Sequence, residues 1–493
     1  MNESGSELRT KTARSLKWNL IDRVSTQILY AVTGIILART LSQEDFGMVG
    51  AILVFQAFAS LLVDSGFSSA LIQRKSPTRQ DYSTILWFNL AIATVLYLLL
   101  FVSAPLIADC FQGQEELVPL SRVMFISLIL NASTIVQVNR FMKRMDVRPI
   151  AVVNAAGLFA GGVTGITLAL LGYGAWSIVW QTLVTAGIKM ILFWLIANWM
   201  PEFYFSVKIL KGFFSVGSGV MAQSFLNTVF QNIYSFFIGN RVGLAALGYY
   251  TQADKWSKMG ITSMSQTMTS AFLPTLSDVQ DSEERFSMAV AKMNRLCAYI
   301  LYPFIFLMIV ISTPVFHALF GTKWDASILL FQLLLVRGIF TVLSGLYNNF
   351  LLSKAKTGAI VNMEILRDSI ALIALFATFP YMDMETPDNP VYGIVLLLYG
   401  QIAASMITCI ATLWVTSRKL SIPVFQFVKA NLPYVAIALA AAIASYPAVM
   451  IVDDPWILMA VQSVVYISVY MLVNHILGSR IQKDAIDMLR GRL

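Results

Sequence analysis

An all-α membrane fold of about fourteen helices is what this sequence predicts, with two six-helix lobes in parallel repeat and two further helices at the carboxyl end. Three observations predict it. The composition is that of a chain solvated by lipid: 57% of residues are hydrophobic and 13% charged, and the mean hydropathy is +0.70, whereas soluble domains carry about 25% charged residues. Apolar runs long enough to cross a hydrocarbon core of about 30 Å follow one another along nearly the whole chain. Two stretches in corresponding positions of the halves also look alike. Ala38-Arg39-Thr40-Leu41 runs to Phe46-Gly47, and Asn240-Arg241-Val242 runs to Leu247-Gly248-Tyr249, with Ser69-Ala70-Leu71 aligning without a gap on Ser270-Ala271-Phe272.

With roughly 20 apolar residues per helix as the ruler, spans fall near 16–38, 46–64, 84–107, 117–138, 150–171, 175–199, 212–238, 248–274, 287–313, 327–352, 359–380, 391–415, 431–451 and 456–478. The first, seventh and eighth are amphipathic. Six spans per repeat give both repeats one direction, a plan in which transporters place the substrate site between the halves. The lobes are then expected at 1–203 and 204–417, with 418–493 holding the last two spans and a tail. The opening segment is polar and charged (Glu3, Glu7, Arg9, Lys11), and the first span lacks a small-residue cleavage site. That span is expected to be retained, not removed as a signal peptide.

Lys and Arg fall on alternate connections, which sets the orientation because cytoplasmic loops are the basic ones. One side holds Arg14 and Lys17, then Arg74, Lys75 and Arg79, then Arg140, Lys143, Arg144 and Arg148. It continues through Lys208, Lys211, Arg285, Lys354, Lys356, Arg418 and Lys419 to Arg480, Lys483, Arg490 and Arg492. The other side is short and acidic or neutral, with Glu44 and Asp45, Asp109, Glu115 and Glu116, Asp383, Glu385 and Asp388, and Asp453 and Asp454. Both termini are therefore expected in the cytoplasm. The net charge of +8 follows from this topology and from attraction to anionic membrane lipids, so no nucleic-acid partner is needed.

Several chemistries are excluded. Cys110, Cys297 and Cys409 are scattered, and His317 and His475 are isolated, so neither a metal nor a thiol site is expected. No P-loop, nucleophile elbow or zinc-protease motif is present, and an ATP-driven pump would need its motor on another chain. No cofactor is expected. Asp383-Met384-Glu385 resembles an acidic metal-binding triplet, but it sits in a short turn with Pro387 and Pro390, where a solvated loop is the simpler account.

The start Ser15-Leu16-Lys17-Trp18-Asn19, the segment Leu37-Ala38-Arg39-Thr40-Leu41-Ser42 with Asp45-Phe46-Gly47, and Asp64-Ser65-Gly66-Phe67 before Leu71-Ile72-Gln73-Arg74 together resemble the polysaccharide-transport flippase family. Leu247-Gly248-Tyr249-Tyr250 with Ala253-Asp254-Lys255 points the same way. Within that family the chain is most similar to the colanic-acid and teichuronic-acid exporter group. Its superfamily also holds the peptidoglycan lipid-precursor flippases and the multidrug extruders. The resemblance implies two six-helix lobes around a cavity in a bacterial plasma (inner) membrane. It also implies movement of a polyprenyl-diphosphate-linked oligosaccharide from the inner to the outer leaflet. Glycosyltransferases upstream and a polymerase downstream are the implied partners.

Such a substrate needs a cationic, polar cavity open sideways to lipid, because a diphosphate cannot enter hydrocarbon. Charges within spans cost roughly 2.5–3.5 kcal/mol each on insertion scales and usually face a cavity or a partner. Asp22 and Arg23 lie about two turns into the first span, and Asp254, Lys255 and Lys258 share adjoining parts of one face in the eighth. The resemblance gives these two spans cavity-facing roles, which makes Arg23, Lys255 and Lys258 the leading diphosphate contacts. The alternative is that Asp22 with Arg23, and Asp254 with Lys258, are structural ion pairs. Arg337 in the tenth span is too central to snorkel to an interface and is a further candidate contact, with Lys189 a weaker one. Glu364, Arg367 and Asp368 form one compact charged face. That face is either an internally neutralised cluster or the place where H⁺ or Na⁺ binding at Glu364 or Asp368 drives the cycle, with Asp22 and Asp254 as other carriers of coupling. Gln223, Asn227, Gln231 and Asn232 make an amide stripe, with Asn227 and Gln231 able to bind sugar or to join helices. Gly157, Gly161 and Gly165 read as a close-packing face, and Pro274, Pro303 and Pro314 as kinks or helix ends. The competing functions are an ion-coupled multidrug extruder, which would favour an acidic cavity, and a membrane polysaccharide polymerase or glycosyltransferase, which would need larger outer loops.

Overall fold

The computed structural model describes residues 2–64, 66–386, 390–479 and 481–483. Ser65, Pro387, Asp388, Arg480, Arg490 and Arg492 lie outside the described residues, as do the side chains of Glu3, Glu7, Arg9, Lys11, Leu16, Ala271 and Pro274. In chain order the helices are α1 (Asn2–Thr40), α2 (Gln43–Asp64), α3 (Phe67–Gln73), α4 (Arg79–Cys110), α5 (Leu117–Met124), α6 (Ile126–Ala132), α7 (Ile135–Lys143), α8 (Arg148–Leu170) and α9 (Trp176–Ala197). They continue as α10 (Val207–Arg241), α11 (Leu244–Asp278), α12 (Glu283–Val310), α13 (Ser312–Leu319), α14 (Asp325–Ser353), α15 (Thr357–Thr378), α16 (Tyr392–Leu420), α17 (Val424–Ser445) and α18 (Pro455–Ile476).

Local chemistry sets many of the ends. Thr78 and Asp81 form a reciprocal capping box at the start of α4, satisfying amides that have no partner within the helix. Asp454 caps α18 by accepting from the Trp456 and Ile457 amides, with Pro455 at the first turn. The fourth expected span, 117–138, is broken into α5, α6 and α7. Turns at Phe125 and at Ser133–Thr134 separate the three, which together still make one membrane-crossing stretch, Leu117–Lys143. Ser127, Ser133 and Thr134 donate to the carbonyls of Met124, Leu130 and Asn131 three residues back, satisfying their hydroxyls within the span.

Among the described residues, 11 helical segments are long and apolar enough to cross a membrane, and the bent pair Val207–Ser215 and Gly217–Arg241 makes up to 12. The other two long helices in the expected positions are α11 and α15. In α15 the clustered charges Glu364, Arg367 and Asp368 keep it outside a set chosen on apolarity, and in α11 the charges Asp254, Lys255 and Lys258 are followed by a stretch rich in Ser, Thr and Gln that does the same.

The chain forms two compact units, Met1–Gly248 and Tyr249–Leu493, so that α11 begins in one and continues in the other. In the first unit, α8 packs against α1 and α9, while α10 packs against α2, α3 and α4. Glycine permits the first of these contacts. A Cβ on Gly157 would stand 2.7 Å from Lys189 Cγ, and one on Gly165 would stand 2.9 Å from Gln181 Cβ; one on Gly161 would overlap Thr185. Near the start of α2 the two similar segments meet. The missing Cβ of Gly47 faces the Leu244 backbone, and that of Gly248 faces the Gln43 backbone. Gln43 and Leu244 occupy the same place in the two segments, so the contact is reciprocal, as contacts about a two-fold axis are.

In the second unit, α14 packs against α12 and α16, α15 against α16, and α17 against α12 and α18. Side chains of α11 and α14 meet at several levels. Ser327 Oγ donates to the Tyr249 carbonyl at 3.0 Å, a separation of 78 residues, and Asn349 Nδ2 donates to Thr269 Oγ1 at 2.9 Å, a separation of 80. Between them, Ile261 fills the space over Gly338. A nearly constant offset means that the two helices run in the same direction.

Gly161→Leu should lower stability by about 1–3 kcal/mol through overpacking against α9, read as a lower unfolding temperature of the purified chain. Gly187, also on α9, has nothing within 4 Å of its would-be Cβ, and Gly187→Ala should leave that temperature unchanged or slightly higher.

Candidate functional site

In the second unit, two cations gather around one carboxylate. Helical spacing puts Asp254 and Lys258 one turn apart on α11, and Lys258 Nζ lies 2.6 Å from Asp254 Oδ2. From α14, Arg337 Nη2 approaches Asp254 Oδ1 at 3.8 Å. Its Nη1 donates to Gln401 Oε1 on α16, and the Gln401 residue is only 3% exposed. Two cations thus share one anion, and the cluster keeps an excess of positive charge. Exposure grades outward, from 15% for the Asp254 side chain and 22% for Arg337 to 43% for Lys258. Asp254 is the held counter-ion, and Lys258 is the cation with a free side. This arrangement can attract an anion, because Arg337 and Lys258 are only partly neutralised and their geometry is fixed from three helices.

Lys255 does not join this cluster. Its Nζ lies 5.4 Å from the centre of the Trp256 ring, and Trp256 Nε1 donates to Gln252 at 3.0 Å. On α15, Arg367 pairs with Asp368 at 2.9 Å and with Glu364 at 3.9 Å, so two carboxylates share one guanidinium and the excess there is negative.

In the first unit, Asn154 Nδ2 of α8 donates to both Asp22 carboxylate oxygens, at 3.2 Å and 3.4 Å. Lys189 of α9 lies in the field of the same carboxylate, so Asp22 is bonded to α8 and faces a cation from α9. Arg23 is engaged as well. The amide stripe on α10 divides: Gln231 Nε2 donates to Asn227 Oδ1 at 3.2 Å on an exposed face, while Asn232 turns back to the Thr228 carbonyl. Two members of these constellations escaped the sequence reading, Gln401 and Asn154. Each is a lone amide inside an apolar span, which is the signal that was available.

Unevenly neutralised charges inside the long helices of a membrane protein mark functional sites, substrate and ion pathways among them. Comparison with known proteins makes the family definite: the family model described as "Polysaccharide biosynthesis protein" matches residues 36–329, and the chain belongs to that family. It is 28% identical to the succinoglycan biosynthesis transport protein ExoT of Rhizobium meliloti over 329 residues, 66% of either chain. It is 27% identical to the teichuronic acid biosynthesis protein TuaB of Bacillus subtilis over 345 residues, 69% of this chain and 71% of that one. Among solved structures it shares the fold of the lipid II flippase MurJ in its inward closed conformation, with a TM-score of 0.70, 14% identity, and coverage of 94% of this chain and 99% of that one.

Removing the shared anion should cost more than removing one cation. Asp254→Asn leaves Arg337 and Lys258 without a counter-charge, whereas Lys258→Gln leaves Asp254 paired with Arg337. The first substitution is expected to destabilise by about 1 kcal/mol more than the second, after discounting for the partly exposed lysine, measured by thermal unfolding in one detergent.

Proposed function

We propose that this protein is a flippase that carries a polyprenyl-diphosphate-linked oligosaccharide from the inner to the outer leaflet by alternating access, for synthesis of a capsule, exopolysaccharide or lipopolysaccharide. The observation that carries this reading is the positive excess at Asp254, Lys258 and Arg337 inside a fold of this family. A multidrug extruder for cationic compounds would be expected to hold the opposite excess, and the names of ExoT and TuaB associate those relatives with polysaccharide biosynthesis. In this reading Lys258 and Arg337 contact the diphosphate, with Arg23 and Lys255 as further cationic contacts. Asn227 and Gln231 offer amides to sugars, while the polyprenyl tail stays in lipid.

The remaining parts of the reading follow the same physics. Both termini are cytoplasmic by the distribution of Lys and Arg, and α11 and α15 complete a set of fourteen spans. The transport repeats are 1–203 and 204–417, with 418–493 outside them; compact units and repeats are different properties, since α10 packs on α2, α3 and α4. Coupling to H⁺ or Na⁺ falls to Glu364 and Asp368, where carboxylates outnumber the cation, with Asp22 and Asp254 in supporting roles. The chain itself makes and breaks no glycosidic bond; glycosyltransferases supply its substrate and a polymerase consumes it.

Lys258→Gln combined with Arg337→Gln should reduce polymer export by about 100-fold if each cation contributes one charge-assisted contact of roughly 1.4 kcal/mol. Lys258→Arg should retain most of it. Polysaccharide recovered per cell, at matched membrane levels of each variant, measures this, and undiminished export in the double variant would remove the cluster from the transport path.

A further inference from the structure

A second cationic site lies in the first unit, at the end of its helices that carries the Lys- and Arg-rich connections. There the start of α4, the end of α7 and the segment after α9 line an open cavity of about 360 Å³ whose walls include Arg79, Tyr82, Arg140, Lys143, Arg144 and Trp199. That volume is within the range of ligand pockets, about 300–1,000 Å³. Two of the four cations are spoken for. Arg79 donates to the Met200 carbonyl at 2.9 Å and 3.2 Å and pairs with Glu202 at 3.5 Å. Lys143 Nζ closes the end of α3, donating to the carbonyls of Leu71, Ile72 and Arg74.

The other two cations have no carboxylate among the described residues. Arg140 is half-buried beside two aromatic rings packed edge to face, with its guanidinium carbon 4.9 Å from the Trp199 centre and 5.9 Å from that of Tyr82. Arg144 is exposed one turn further on, and both it and Arg79 act on Arg140 as like charges. Of the nearby acids, Glu202 pairs with Arg79, and Asp81 is buried and already committed: it accepts from the Thr78 amide at 2.7 Å and pairs with Arg74 at 3.1 Å. Like charges held together beside a cavity are stabilised by an anion between them. The planar forks of Arg140 and Arg144 match a phosphoryl group, which accepts paired hydrogen bonds. Trp199 and Tyr82 are the amphipathic rings that favour the depth of lipid headgroups, and basic pockets between membrane helices hold such headgroups.

We propose that this cavity binds the phosphoryl group of a membrane-lipid headgroup, with Arg140 and Arg144 as its direct contacts. Arg140 is pre-organised by its two rings, and Arg144 closes the site from the exposed side. The site is separate from the Asp254 cluster and does not depend on which compound is transported.

Native mass spectrometry of the purified full chain in neutral detergent tests this with four probes: phosphatidylglycerol, phosphatidylcholine, undecaprenyl diphosphate and inorganic pyrophosphate. The chain should bind phosphatidylglycerol in preference to phosphatidylcholine, and Arg140→Gln with Arg144→Gln should weaken it by about tenfold per arginine. The single Arg144→Gln, at an exposed and unpartnered position, keeps the fold and should show about tenfold by itself. An equal loss for pyrophosphate would support the site as one for the phosphoryl group alone. A loss confined to phosphatidylglycerol or to undecaprenyl diphosphate would support it and identify the lipid source. Binding of all four probes unchanged in both variants, or no preference for an anionic probe by the parent chain, would overturn it.

Discussion

The ion pairs of Asp254 govern the second unit, because they decide how a chain in lipid keeps Lys258 and Arg337 within its helices. Each cation alone costs a few kcal/mol at mid-membrane depth, and one carboxylate between them offsets much of that without neutralising both. Helical spacing brings Lys258 to Asp254. Arg337 arrives from another helix, and its place is set by neutral contacts: Ser327 on Tyr249, Ile261 over Gly338, and Asn349 on Thr269. Packing of small and hydroxylated residues therefore determines where the charge lies. Gln401 fixes the other edge of the guanidinium and leaves Arg337 few orientations.

The first unit handles buried charge differently. Asp22 is held by an amide and lies in the field of Lys189, whose stem crosses α8 at Gly157. The glycines that bring α8 and α9 together also let the lysine lie flat between them. Packing and electrostatics there are one arrangement. The same unit carries Arg140 and Arg144 at its basic end, where none of the described carboxylates forms an ion pair with them.

The architecture was legible in the sequence wherever a single helix carries the signal. Apolar run lengths located the long helices, the pairing of Asp254 with Lys258 followed from a spacing of one turn, and the glycine face of α8 followed from its Gly-x-x-x-Gly steps. What was not legible depends on register between helices. Arg337 reaches Asp254 across a long stretch of chain, Asn154 supplies the hydrogen bonds to Asp22, and Lys255 turns to Trp256 although it shares a helix face with Lys258. The turns at Phe125 and Ser133–Thr134 in the fourth span were hidden for another reason: they interrupt an apolar run of ordinary span length without a Gly or Pro to mark them.

The account stands or falls on movement of a lipid-linked saccharide across the bilayer. The most direct measurement is the amount and leaflet of each lipid-linked intermediate, by mass spectrometry and by exposure to a membrane-impermeant glycosidase, in cells with and without this protein. The account predicts that without it a complete repeat on polyprenyl diphosphate accumulates in the inner leaflet, protected from the glycosidase. A complete repeat that still reaches the outer leaflet and stays unpolymerised, or a lipid pool that does not change, would contradict it.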